Sequence, residues 1–174
     1  MTDKEINSAL SVIFDSFSIL GNVVVGSCNK KFGATDKSGE TLVPFKYSES
    51  RVWEDKYAVF YSYDDGSSVI LNVETGHQTA VDGKLMFVTE INGVVFFDII
   101  GISSGLKKAV VLRADTLEPI VSSLCVRGIY PPSKEHVRCI VASTLTGNNV
   151  IPYNFYIGED FGVYHISDFI AGEY

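Results

Sequence analysis

The sequence is short of the residues that staple, coordinate or anchor a protein. Its three cysteines, Cys28, Cys125 and Cys139, are odd in number and have no Cys-x-x-Cys spacing. Neither a disulfide framework nor a zinc cage is signalled, and the three read as reduced core thiols. His77, His136 and His165 lie far apart without a second ligand at clamp spacing, so no metal and no cofactor is expected. The longest apolar runs, such as Val94-Val-Phe-Phe97, fall far short of the roughly 20 residues that cross a bilayer, which argues against a membrane-spanning chain. The opening Thr2-Asp-Lys-Glu5 lacks the basic stretch of a secretory signal, and no Asn-x-Ser/Thr acceptor occurs, so the cytoplasm is the expected compartment.

Positive charge is also scarce. Fourteen basic residues stand against 21 acidic ones, giving a net charge of −7 and a pI near 4.9. That is the wrong sign for neutralising phosphate backbones, so nucleic acid is not an expected partner, whereas a basic protein is. No Gly-x-x-x-x-Gly-Lys-Ser/Thr loop and no Gly-x-Gly-x-x-Gly turn occurs, leaving nucleotide-driven chemistry without support.

What the chain does have is apolar and aromatic material, 46% and 12% of its 174 residues. That is enough for a buried core in a single domain spanning 1–174. Within the N-terminal segment 1–20, Ile6, Leu10, Ile13, Phe14 and Phe17 share one helical face behind a Thr2/Glu5 capping box. The spacing predicts an amphipathic helix over about 3–19, docked on a sheet.

From residue 22 the texture changes to short β-branched and aromatic runs separated by turn pairs such as Asp65-Gly66, Thr75-Gly76, Asp82-Gly83 and Asn92-Gly93. The pattern predicts an all-β class, an antiparallel meander of hairpin repeats over 22–174, propeller-like or barrel-like. Its strands are expected near 22–28, 31–36, 40–45, 56–63, 67–73, 77–81, 84–91, 94–100, 108–114, 119–125, 136–144, 149–157 and 162–167. A weak repeat places Ser38, Thr75 and Thr116 in correspondence, with a fourth copy at Phe155–Asp160. A period near 40 residues is that of propeller blades and β-repeat arrays.

The stretch Lys31-Phe-Gly-Ala-Thr-Asp-Lys-Ser-Gly-Glu-Thr-Leu-Val-Pro-Phe-Lys-Tyr47 resembles one unit of the WG-repeat family. Phe32-Gly33, Asp36, Gly39, Val43-Pro44 and Tyr47 occupy the family's Trp-Gly, Asp-x-x-Gly, Ile-Pro and Tyr places. The resemblance extends over about 31–60 and implies a repeated β-meander used as scaffold or binding surface. The family has no common catalytic residues to carry over. On this reading Asp36 to Gly39 forms a tight turn and Pro44 ends the return strand.

Two constellations bear on function. Gly101-Ile-Ser-Ser-Gly105 matches a nucleophile elbow, with Asp115 and His136 following in triad order, and a small serine hydrolase centred on Ser103 is one alternative. However, 106–112 reads as a strand where an elbow needs a helix. A small-ligand-binding barrel or propeller is the other alternative. The leading expectation is a non-catalytic interaction module, an inhibitor or immunity-type protein. Trp53, Tyr57, Tyr61 and Tyr63 beside Glu54 and Asp55 form the candidate partner surface, and Tyr130, Pro131 and Pro132 in the irregular stretch 127–136 form a second.

Overall fold

The computed structural model describes residues 3–91, 93–103, 106–124, 126–130, 139–146, 149–157 and 163–165. Among these residues one helix, α1 (Asp3–Ile13), precedes sixteen strands that form four antiparallel sheets of four, each a plain meander in chain order. The first sheet holds β1 (Ser16–Leu20), β2 (Val23–Cys28), β3 (Lys31–Asp36) and β4 (Thr41–Tyr47). The second holds β5 (Glu49–Trp53), β6 (Tyr57–Tyr61), β7 (Ser67–Asn72) and β8 (Gln78–Asp82). The third holds β9 (Lys84–Ile91), β10 (Val94–Ser103), β11 (Leu106–Arg113) and β12 (Pro119–Leu124). The fourth holds β13 (Val126–Tyr130), β14 (Cys139–Thr146), β15 (Asn149–Ile157) and β16 (Val163–His165). The all-β class with one helix is as the sequence predicts, and four strands in sequential order is the composition of a propeller blade. The chain divides into two compact units, residues 1–81 and 82–174.

The helix is shorter than its periodicity. Phe14 N–H still donates to Leu10 O at 2.9 Å, but Asp15 N–H turns to Ser27 O at 2.7 Å, and the chain enters β1. Ser16-Phe-Ser-Ile-Leu20 alternates with period two, so Phe17 satisfied a helical stripe and a strand at once, and β2 as a pairing partner decided for the strand. The expected docking is also corrected in part. Phe14 is buried, but Ile13 is 60% exposed and Val12 85%.

In the first unit the front of the first sheet meets the back of the second. Leu20, Val23, Val25, Ala34, Val43 and Tyr47 close against Ala58, Phe60, Leu71 and Val73 in one apolar core. Each large side chain there contributes about 1.5–3 kcal/mol by leaving water. The other side of the first sheet carries the cross-strand pair Gly26–Gly33. A Cβ on Gly33 would lie 2.7 Å from Val43 O and 2.9 Å from the Phe45 ring, so only glycine fits. Phe14 and Phe45, 5.5 Å apart between ring centroids, lie over this pair and fill the missing side-chain volume.

Pro44 does not end its strand. β4 runs on to Tyr47 as an edge, and the register slips between Ala34–Val43 and Phe32–Tyr47, so the proline sits in a bulge where no ladder donor is required. β9 is bulged similarly: Asp98 pairs with Phe87 but Ile99 with Leu85, leaving Met86 extra and exposed.

One backbone bond recurs in three sheets. It ties the start of the second strand to the residue that follows the third. Lys37 N–H donates to Asn22 O at 3.0 Å, Val73 N–H to Lys56 O at 2.8 Å, and Ala114 N–H to Val95 O at 2.8 Å. The turns also recur. In Asn72–His77 and Arg113–Glu118 the first N–H reaches the last carbonyl, at 2.8 and 3.1 Å, and the fifth N–H returns to the first carbonyl, at 2.9 and 2.8 Å. Thr75 and Thr116 Oγ1 accept from the last N–H, and Gly76 and Leu117 are left-handed. Ser62–Ser67 repeats this between β6 and β7, with Asp65 in the threonine's place. The first sheet uses a shorter turn, Asp36–Glu40, in which Asp36 Oδ1 accepts from Ser38 N–H, Ser38 Oγ–H and Glu40 N–H. Ser38, Thr75 and Thr116 therefore do occupy one topological place, between third and fourth strands. The fourth copy's turn lies outside the described residues, although Phe155–Ile157 does belong to the third strand of its sheet.

Candidate functional site

The aromatic stretch forms one hairpin. β5 pairs with β6 from Glu49–Tyr61 to Trp53–Tyr57, which puts Glu49, Arg51, Trp53, Tyr57, Val59 and Tyr61 on one face. Tyr57, Val59 and Tyr61 share that face, but β6 ends at Tyr61, so Tyr63 lies beyond the strand and the aromatics form no continuous patch. Trp53 and the tip residues lie at one end of the hairpin and Tyr61 and Tyr63 at the other, about 13 Å away along the strand.

At the tip, Lys56 N–H donates to Trp53 O at 3.0 Å, closing a turn whose central residues are Glu54 (φ 48°) and Asp55 (φ 53°). Both dihedrals are left-handed, the geometry in which Asn-Gly is favoured because a Cβ crowds the following carbonyl. Both acids are exposed, and neither side chain has a hydrogen bond or ion pair among the described residues. Trp53 is half-buried, and its indole N–H is enclosed without an acceptor among the described residues. Such an orphaned donor is uncommon, because enclosure removes the water that would otherwise satisfy it. Tyr57 corrects the sequence reading: at 8% exposure its ring belongs to the interior and offers no contact surface.

At the far end Tyr63 is 62% exposed, its ring edge-on to Tyr61 at 5.2 Å. Tyr63 Oη–H donates to Glu49 Oε2 at 2.7 Å and Tyr63 N–H to Ser48 Oγ at 3.1 Å, which fixes the ring over the strand start. Lys31 and Asp64 form a loose exposed pair at 3.5 Å.

Three other acids serve the fold. The Ser67 hydroxyl and amide hold the Asp65 carboxyl at about 2, against 3.8 for an unperturbed aspartate. The Ser38 hydroxyl and the Glu40 amide likewise hold Asp36 below its usual range. Arg113 lowers Asp115 through a two-pronged pair at 2.7 and 3.1 Å. Asp64-Asp65-Gly66 is thus a turn. Among the described residues no group of three His, Cys, Asp or Glu is placed to hold a metal ion.

The triad order around Ser103 is not assembled by Asp115. Ser103 ends β10 opposite Leu106, in a hairpin that passes into strand β11 where an elbow needs a helix. Asp115 follows the other end of β11, about 25 Å along the strand, and is committed to Arg113. Gly101, the motif's first glycine, has a packing reason: a Cβ there would come 2.7 Å from Asp82 O. His136 lies outside the described residues, as do Pro131 and Pro132. The stretch 127–136 is corrected at its start, since Arg127–Tyr130 belong to β13, with Tyr130 opposite Cys139.

The residue that sequence reading missed is Glu74. It lies 20 positions from the tip, yet the Val73–Lys56 bond holds its turn beside Glu54 and Asp55. The meander order carried that signal, because in four antiparallel strands taken in sequence the first and third turns share an end of the sheet.

No protein-family model matches this chain, and no curated protein matches it. Among solved structures it is similar to a chain of an S. cerevisiae complex, described as a dbp5 variant bound to nup159, a gle1 variant, IP6 and ADP. The identity is 9% and the TM-score 0.38, over 88% of this chain and 46% of that one. The chain therefore spans less than half the length of its structural neighbour, and the likeness is too distant to carry an argument. No helix among the described residues is long and apolar enough to cross a membrane.

Proposed function

We propose that the protein is a non-catalytic interaction module whose β5–β6 tip, with Glu74 beside it, receives a basic protein. The observation that carries this reading is the co-location of two anomalies. Glu54 and Asp55 hold left-handed backbones that glycine would hold without strain, and Trp53 next to them encloses an indole N–H with no acceptor among the described residues. Strained or unsatisfied groups persist where the surrounding structure enforces them, and they cluster at binding sites. Two exposed acids next to a tryptophan, with exposed Glu74 on the turn bonded to the same tip, suit an Arg- or Lys-bearing surface, with the aromatic supplying contact area and the carboxylates the orientation. An inhibitor of a larger basic protein, of the immunity or anti-defence kind and acting in the cytoplasm, is the case this reading describes.

The experiment is affinity capture from the source cell with wild type and with Glu54→Lys/Asp55→Lys. Wild type is expected to bring down a stoichiometric basic partner. The charge reversal should weaken capture by about tenfold at low salt and less at high salt, where exposed charges are screened. Capture indifferent to both salt and the substitutions would place the interface elsewhere, with Tyr63 and the Pro131-Pro132 segment the next positions to vary.

A further inference from the structure

Edge strands present unpaired backbone donors and acceptors, and proteins shield them with proline, charge, bulges or a covering element. In the first three sheets nearly every edge carries such a device. β1 has α1 packed against it, β4 has Pro44 in a bulge, and β5 carries Glu49 and Arg51. β9 is bulged at Met86, and β12 opens on Pro119 with a register slip. β8 differs. It reads Gln78-Thr-Ala-Val-Asp82, with no proline and no charge before the Asp82 at its end, and its residues alternate exposed and half-buried along its whole length. Gln78 Nε2 reaches Leu42 O at 3.4 Å, so the strand is anchored to the first sheet from its inner face while its outer edge pairs with no described strand.

We infer that β8 is an open edge to which an extended, basic segment of a partner protein adds as a further strand. The inference rests on the reading of the acidic tip as the partner's docking face and names how the partner continues from it. β8 leaves the turn that carries Glu74, which the Val73–Lys56 bond ties to the Glu54–Asp55 tip, and it ends on Asp82. A segment lying along β8 would have exposed carboxylates near both of its ends, and backbone bonds would supply affinity whatever its side chains. Lys or Arg at its ends meets the charge, and small or β-branched residues between them suit Thr79, Ala80 and Val81.

The test uses a synthetic decapeptide of alternating Lys and Val as probe and residue-resolved hydrogen exchange of the full chain as readout. Amides in 78–82 should exchange about tenfold more slowly with the peptide. The same peptide N-methylated at alternate amides, with its charge unchanged, should give no protection, and Ala80→Pro should abolish the effect. Equal protection by the N-methylated peptide, protection confined to other strands, or none at all would overturn the inference. Glu54→Lys/Asp55→Lys separates the two readings. Loss of peptide binding without any β8 protection in wild type leaves the tip and removes the edge, whereas β8 protection unaffected by the reversal leaves the edge and removes the tip.

Discussion

The first and second sheets share a backbone and differ in how they fill it. Aligned on the recurring bond, Asn22 corresponds to Lys56 and Lys37 to Val73, which places the pair Gly26–Gly33 where the second sheet has Phe60–Val69. The second sheet turns that pair toward the first and supplies the volume itself, with Phe60 fully buried. In the first sheet the same place is left bare and covered by Phe14 and Phe45. The repeat is therefore kept in hydrogen bonding while the side chains answer to whatever lies above them. The tips diverge in the same way. Gly21 supplies the left-handed residue of the first at no steric cost, and Glu54-Asp55 supplies two such residues in the second at some cost.

Phe60→Ala should cost about 3–5 kcal/mol, since it opens a cavity between the two sheets, whereas Gly33→Val should cost about 1–3 kcal/mol by forcing β4 and Phe45 away. Denaturant unfolding of both variants checks the order, and a neutral Gly33→Val would mean the glycine pair is not closely covered. At the tips the signs should oppose. Gly21→Ala should destabilise by about 1 kcal/mol, and Asp55→Gly should stabilise by about 0.5–1 kcal/mol while weakening partner capture. Thermal melts read the first pair of effects, and a destabilised Asp55→Gly would show that the left-handed aspartate is held by more than it costs. The smallest effect concerns the acid clamps. Folding depresses the Asp65 pKa from 3.8 to about 2, so its contribution is complete above pH 4 and is lost as pH falls toward 2. Melting between pH 5 and 2 should fall more steeply for wild type than for Asp65→Asn, and parallel curves would remove Asp65 from the turn's energetics.

The sequence carried most of the strands. β3, β9 and β15 have the bounds their alternation predicts, because each is flanked by turn residues and partly apolar. The strands it did not carry, β1, β5 and β13, are all first in their sheets. β1 was hidden because Phe14 and Phe17 also fit a helix. β5, Glu49-Ser-Arg-Val-Trp53, has the polar surface of a shielded edge and so no apolar alternation to read. β13 lies in a segment whose Gly128 and following prolines read as loop. The candidate surface was legible as composition and only partly as geometry. Nothing local to 57–63 distinguishes buried Tyr57 from exposed Tyr63, since that depends on what packs against each face. Glu54 and Asp55 gave little sign of a left-handed turn, because glutamate disfavours that region and aspartate only tolerates it, and the glycine such a turn prefers is missing.

In three sheets the bond that ties the second strand to the residue after the third joins a main-chain donor to a main-chain acceptor, so no side-chain replacement other than proline can remove it. A chain held together this way can change almost every residue it has without forgetting its plan. Three of its four sheets keep the same plan in their peptide groups where the letters do not match.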